Sequence, residues 1–291
     1  MDNLTGALLM IAAMAFFATE DVFVKFATQT LPVGEVLAVI GILGACSFSL
    51  IAAKQGHSVF SKQFFHPMVI LRNLGEMAGT LCFVLGITVV SLGLVTALFQ
   101  ATPLFVNLGA IVFLGATVGW RRWIAIVVGF IGVMVILRPG FEGFEMGALF
   151  GLGAALGLAV RDLATRQLPR EIPTTVISAW GFLSVAPAGA ALMALGDGPV
   201  VPNLQETGFM LAATLLGMIG YFALVRAMQA GEIAIVTPFR YTRLIFALIL
   251  AFMVFDEAPD AMTVLGAGLI VAAGLFVLIR ERHQLRAKRV F

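Results

Sequence analysis

The sequence is poor in charge. Only 12% of its 291 residues are Asp, Glu, Lys or Arg, while 60% are hydrophobic; soluble domains carry about twice that charge. Too little polar surface remains to cover a water-soluble globule, so the chain reads as a polytopic membrane protein. An excess of one sign is also lacking. Eighteen basic against sixteen acidic residues leave +2, which excludes the basic field of a nucleic-acid binder. Cysteine is nearly absent: Cys46 and Cys82 both fall in apolar runs and are expected to be buried hydrophobes, not a disulfide framework. The three histidines, His57, His66 and His283, have no metal-ligand spacing, so neither a metal nor a cofactor is expected. HExxH, GxSxG and Gly-Lys-Ser/Thr are all missing. A membrane-embedded enzyme therefore lacks its parts, and so does direct drive by ATP. Met1, Asp2 and Asn3 supply no positive segment ahead of the first apolar run, which is expected to be a retained helix.

What the sequence has is long apolar runs. A membrane helix needs roughly 20 mostly apolar residues, and ten such runs are present: 5–27, 34–53, 68–89, 92–117, 122–138, 145–165, 174–195, 207–227, 233–255 and 261–280. They predict an all-α membrane protein of ten transmembrane helices with short loops. With the amino terminus inside, fourteen of the Lys and Arg residues, from Lys54 to Arg289, fall on the inner side, and only Lys25 and Arg138 on the outer. The positive-inside rule then places both termini in the cytoplasm of a protein of the cell (inner) membrane.

The chain also repeats itself. Gly6-Ala7-Leu8 and Gly147-Ala148-Leu149 stand 141 residues apart, as do Asp21 and Asp162, Lys25 and Arg166, and Val95-Thr96 and Val236-Thr237. One residue of slippage later, Gly132 meets Gly274 and Arg138 meets Arg280. Two five-helix units are implied, residues 1–140 and residues 141–291 with a short basic tail. Five is odd, so the second unit enters the membrane from the opposite side. Inverted repeats are the usual architecture of secondary transporters, which expose a midplane site alternately to either face.

Certain stretches resemble the ten-helix EamA-type branch of the drug/metabolite transporter superfamily. In the first half these are Trp120-Arg121-Arg122-Trp123, Val128-Gly129-Phe130-Ile131-Gly132 and Leu137-Arg138-Pro139. In the second half they are Arg226-Ala227, Ala230-Gly231-Glu232, Pro238-Phe239-Arg240-Tyr241 and Asp256-Glu257-Ala258-Pro259-Asp260. The resemblance implies a carrier of a small organic metabolite. It offers riboflavin uptake first, with S-adenosylmethionine uptake and amino-acid or metabolite export as alternatives. Family members often carry Glu at the end of both helix 4 and helix 9; here Glu257 holds the second place and Ala116 the first.

Charges inside the spans are the functional signal, because an ionised group in the bilayer interior needs a cavity or a partner. Arg240 and Arg243, three residues apart near the middle of the ninth run, form with Tyr241 a patch suited to a planar or anionic group, unless acids on other helices claim the arginines. Glu76 stands one turn from Arg72: it either bridges that arginine at i,i+4 or faces the cavity to bind an amine or a proton. A proton or another ion is thus a candidate coupling partner, beside a small-molecule substrate and the lipid bilayer. Gln100, Thr102, Asn107 and Tyr221 are further candidate cavity groups. Asp21 with Lys25, and Asp162 with Arg166, are repeat-matched pairs expected to act as two gates, flanked by the matched but oppositely charged Glu20 and Arg161; the alternative is that they mark helix ends.

Overall fold

The computed structural model describes residues 3–115, 119–139, 145–169, 171–196, 198–230 and 233–289. Among these there is no strand. The helices are α1 (Asn3–Ala27), α2 (Val33–Lys54), α3 (Pro67–Val89), α4 (Leu92–Phe99), α5 (Thr102–Leu114), α6 (Trp120–Leu137), α7 (Ala148–Thr165), α8 (Thr174–Leu195), α9 (Leu204–Ala230), α10 (Ile233–Val236), α11 (Thr242–Phe255) and α12 (Ala261–Arg289). They make ten spans. Eight segments are long and apolar enough to cross a membrane, and Trp123–Leu137 and Ala261–Val277 are shorter apolar helices. The fourth span is α4 with α5, and the ninth is α10, a 3-10 turn (Thr237–Tyr241) and α11.

Local chemistry sets the helix ends. Pro67 opens α3, where the missing N–H costs nothing, and the His66 ring accepts from the Met68 amide at 3.2 Å. Asn203 and Glu206 cap α9 reciprocally, with bonds of 2.9 and 2.7 Å. The expected continuous helices over 92–117 and 233–255 are instead broken. Pro103 has no amide to return to Phe99, so the Thr102 hydroxyl donates to the Phe99 carbonyl at 2.6 Å. In the ninth span the Thr242 hydroxyl makes the same bond to Phe239, also at 2.6 Å. The broken spans end alike, at Gly115 and at Asp256, both left-handed with φ of 63° and 55°, and 141 residues apart. Asp is among the few side chains that accept this conformation.

Helix pairing follows a two-fold exchange of the halves. The most extensive contacts are α1 with α9, α2 with α8, α3 with α7 and α6 with α12, and α4 packs on α11. In span order these are 1 with 8, 2 with 7, 3 with 6, 5 with 10, and 4 with 9. Exchanging the halves turns the first pair into the third and leaves the others unchanged. Glycines set the closest approaches. A Cβ on Gly34 would lie 2.5 Å from the Gly189 carbonyl oxygen, and one on Gly132 2.6 Å from that of Gly266. A Cβ on Gly157 would lie 2.5 Å from the Gly79 amide nitrogen. With no hydrophobic force between helices in lipid, such small-residue contacts supply the packing.

Apolar side chains such as Leu50, Phe113, Phe222 and Phe252 cover the outside of the bundle. Cys46 is also exposed there and Cys82 only half-buried, so neither is the buried hydrophobe expected. Cys46 sits on an outward helix surface, whereas the Cys82 sulfur packs against α7, where a Cβ on Gly153 would lie 2.9 Å from it; an apolar sequence context is a poor guide to burial.

Candidate functional site

Charged side chains run along the inside of the bundle in three tiers. The face bearing the chain termini is called the terminal face, and the opposite one the far face. Nearest the terminal face, Glu76 on α3 sits between two arginines. Its carboxylate accepts from Arg72 Nη2 at 2.8 Å and from Arg161 Nη1, on α7, at 3.0 Å. Arg161 also donates through Nε to Asp162 at 2.9 Å, and Arg72 through Nη1 to Asn73 at 3.0 Å. Glycine makes the space: a Cβ on Gly181 of α8 would lie 2.3 Å from Arg72 Nη1, and one on Gly75 2.7 Å from the Arg161 backbone nitrogen. Glu76 thus does bridge Arg72, and Arg161 occupies its other oxygen.

In the middle tier, Arg243 of α11 holds both oxygens of Asp21 on α1, at 2.9 and 2.8 Å. The rings of Phe17, Phe83 and Phe99 surround its guanidinium with centroids 5.6, 5.4 and 5.0 Å away. Nearest the far face, Lys25 pairs with Glu257 and lies over the Phe255 ring. The second Glu257 oxygen accepts from the Leu92 amide at 2.9 Å, setting a carboxylate at the positive end of α4. A polar cavity of about 510 Å³ opens beside this contact, lined by Lys25, Gln29, Thr88, Ser91 and Glu257 among others.

The expected gate pairs therefore do not form. Asp21 and Lys25 are one turn apart on α1, yet each reaches across to the second half, where an opposite charge is held by another helix. Asp162 pairs with its neighbour Arg161, whereas Arg166 caps the end of α7 and is exposed. The three-residue patch of Arg240, Tyr241 and Arg243 is also divided. Adjacent helical residues point about 100° apart, so Tyr241 turns toward α12, where a Cβ on Gly274 would lie 1.7 Å from its hydroxyl. Tyr241 is buried there, its hydroxyl without a hydrogen bond.

Arg240 differs from the rest. It is exposed, but it lies in the field of Asp162 and Arg161 on one side and of Arg243 on the other. Its exposure is therefore to the interior of the bundle. Among the described residues it has no ion pair. Gln100, one residue after Phe99 in the fourth span, is buried. Tyr221 on α9 meets the edge of Phe48 at 5.0 Å. Asn107 is on α5, and Ala116 lies outside the described residues.

Three features escaped the sequence reading. Glu35 is buried at the start of α2 and accepts from the Val200 amide at 2.9 Å; its place among acids near a loop carried no sign of this. The aromatic cage of Arg243 draws on three helices, which no local pattern reveals. The capping of α4 by Glu257 spans 165 residues.

Comparison with known proteins agrees with this architecture. The model of the EamA-like transporter family matches residues 4–138 and again 145–279. The chain is 30% identical over 285 residues to a riboflavin transporter of Rhizobium johnstonii, covering 98% of this chain and 93% of that one. It is 27% identical over 228 residues to an S-adenosylmethionine uptake transporter of Rickettsia bellii, with 78% and 77% covered. A pseudopaline exporter of Pseudomonas aeruginosa is 28% identical over 270 residues, with 92% and 94% covered. A protein of known crystal structure superposes with a TM-score of 0.66 over 97% of this chain and 99% of its own, at 18% identity; that likeness concerns the fold alone. With two family matches covering nearly its whole length and ten apolar spans in an inverted arrangement, the chain belongs to the EamA-like transporter family of the drug/metabolite transporter superfamily, as a multi-pass membrane transporter.

Proposed function

We propose that the protein takes up a neutral or anionic planar metabolite by alternating access, with riboflavin as the specific substrate. Arg240 carries this reading. Among the described residues it is the interior guanidinium that no carboxylate occupies, at mid-depth, inside the 3-10 break of the ninth span. A planar fork of donors suits ring carbonyls or a carboxylate, and its face suits stacking. The relative that matches the chain nearly end to end is named for riboflavin.

S-adenosylmethionine is the second reading, favoured by the Rickettsia relatives. A cationic substrate needs an available acid. Asp21, Glu76, Asp162 and Glu257 are each engaged by Arg or Lys, and Glu20, which is not, lies against α9 at Gly217 and is not among the charges that act on Arg240, which weighs against it. The Lys25–Glu257 contact and the Arg72–Glu76–Arg161–Asp162 cluster act in this scheme as closures of the far and terminal faces, opening in turn around Arg240. Residues 1–140 and 141–291 are the two units that rock, in the inner membrane, with the terminal face toward the cytoplasm. Orientation is checked with an impermeant thiol reagent on intact cells, in a background free of Cys46 and Cys82. Val201→Cys should react, Phe60→Cys should not, and the reverse pattern inverts the assignment.

The deciding experiment is uptake of tritiated riboflavin into proteoliposomes, with unlabelled riboflavin or S-adenosylmethionine as competitor. Riboflavin should compete and S-adenosylmethionine should not. Arg240→Lys, which keeps charge but loses the fork, should weaken riboflavin binding at least about tenfold, the effect of one lost charge-assisted hydrogen bond. Competition by S-adenosylmethionine alone, or unchanged affinity in a folded Arg240→Lys protein, refutes the assignment.

A further inference from the structure

Pairing the interior charges tier by tier leaves one carboxylate over. The terminal tier holds Arg72 and Arg161 against Glu76 and Asp162 and is neutral. The far tier, Lys25 with Glu257, is neutral too. The middle tier holds Asp21 and its neighbour Glu20 beside Arg243 and Arg240, the latter unpaired among the described residues. Arg243 gives Nη2 to both oxygens of Asp21, and Arg240 is not among the charges that act on Glu20. Glu20 is half-buried at the interface of α1 and α9. A Cβ on Gly217 of α9 would lie 2.6 Å from its Oε1, so α9 presents bare backbone to the carboxylate. Among the described residues no hydrogen bond or ion pair satisfies it.

The surrounding elements offer no second cation. The charges that act on Glu20 are Asp21 beside it and Arg243 of α11. Arg226 on α9 is exposed and stacked over the Phe222 ring. Arg72 on α3 is held by Glu76 and Asn73, and Arg240 lies in the field of Asp162, Arg161 and Arg243. A second ionised carboxylate here would stand next to a like charge in the interior of a membrane, the arrangement most costly to leave ionised.

We propose that Glu20 is the proton-binding site of the carrier, loading one proton from the far face and releasing it at the terminal face in company with one substrate molecule. The reading rests on the carrier assignment above and adds its coupling ion. The proton bonds to a Glu20 carboxylate oxygen and removes the unpaired negative charge, with Asp21 and Arg243 as the remaining pair. Release restores the ionised, unpaired carboxylate, which is tolerated when the cavity is open to water. Since α1 carries Glu20, Asp21 and Lys25, and α11 carries Arg243 and leads into the loop that holds Glu257, the charge state of the middle tier bears on the two helices that the far-face contact ties together. Each cycle of a neutral substrate moves one positive charge, so the cycle responds to voltage as well as pH.

Two measurements separate this proposal from the substrate assignment. In purified substrate-free protein, infrared difference spectra between about pH 6 and about pH 10, above the range in which ordinary carboxyls titrate, should contain a carboxylic-acid carbonyl band. The band should vanish in Glu20→Gln, persist in Asp21→Asn and shift in Glu20→Asp. In proteoliposomes with the potential clamped at zero, a one-to-one symporter accumulates neutral tritiated riboflavin about tenfold per pH unit, because each unit is a tenfold difference in proton activity. Glu20→Gln should fall to onefold while still exchanging riboflavin across the membrane. If riboflavin is not a substrate, wild-type protein shows neither exchange nor accumulation, and the infrared arm decides. A titrating band that survives Glu20→Gln, or gradient-driven accumulation that survives it, overturns the proposal.

Discussion

Glu20-Asp21 on α1 and Arg161-Asp162 on α7 hold equivalent places in the two repeats, 141 residues apart, and meet different fates. In the second repeat the leading residue is a cation. Arg161 binds its own neighbour and Glu76 at once, giving a closed network with every carboxylate engaged. In the first repeat the leading residue is an acid, and the one arginine within reach is spent on Asp21. The backbone is duplicated, but the charge is not. One exchange of sign converts a cross-brace between α3 and α7 into a tier with a carboxylate to spare, so a symmetric scaffold carries an asymmetric function.

The largest effect that tests this contrast is on stability. Glu76→Ala leaves Arg72 without its charged partner and Arg161 with only Asp162. Removing one member of a buried ion pair costs about 3–5 kcal/mol, and thermal unfolding in detergent should show a correspondingly lower midpoint. Glu20→Ala removes an unmatched carboxylate and should leave the midpoint unchanged or raise it. Equal losses in the two variants would show that Glu20 is held by a partner as Glu76 is, and would dissolve the comparison.

A second test sharpens it at the level of packing. The network depends on α3 and α7 approaching at Gly75, Gly79 and Gly157, where a Cβ on Gly157 would lie 2.5 Å from backbone. Gly157→Ala must push the helices apart, at about 1–3 kcal/mol for overpacking. Gly268→Ala on α12 meets nothing within 4 Å and should be neutral or favourable by up to about 1 kcal/mol, from helix propensity. If both substitutions are neutral by thermal unfolding, the glycine contact does not set the spacing of the cross-brace.

The ten spans and their inversion were legible because lipid imposes them. Runs such as Val33–Lys54 must be long and apolar, and a 141-residue offset survives in residues like Val95-Thr96 and Val236-Thr237 whatever their partners. The Arg72–Glu76 bridge was legible too, since helical spacing alone brings those side chains together. The same rule misled at Asp21 and Lys25, which satisfy it equally well. There the competing partners, Arg243 on α11 and Glu257 in the loop after it, come from more than two hundred residues away, and local spacing carries no trace of them. Tyr241 failed for another reason: adjacency in sequence was read as adjacency on a face, and one residue of helix rotation sends it to Gly274. Both breaks have a proline cue, Pro103 at the start of α5 and Pro238 at the start of the 3-10 turn, which the length of the apolar runs outweighs.

The smallest expected effect lies outside the membrane, where solvent weakens the logic of the interior tiers. Asp260 opens α12 at the far face, accepting from the Thr263 amide at 2.9 Å and pairing with Arg138 at the end of α6. Its hydrogen bonds with Thr263, followed by Arg138, hold the carboxyl at about 2, below its usual 3.8. A carboxyl that is more acidic in the folded state adds stability above its unfolded value and loses it as pH falls through the folded one. The side chain is half-exposed, so screening limits the pair to about 0.2–1 kcal/mol. Asp260→Asn keeps a capping oxygen but gives up the charge. Wild-type and Asp260→Asn midpoints should therefore differ slightly at pH 7 and converge between pH 4 and pH 2, reading those limits from the shift itself. A difference that stays constant across that interval would place the effect in the cap and not in the ion pair. A difference as large as that of Glu76→Ala would mean that the far-face link is as shielded from solvent as the cross-brace inside.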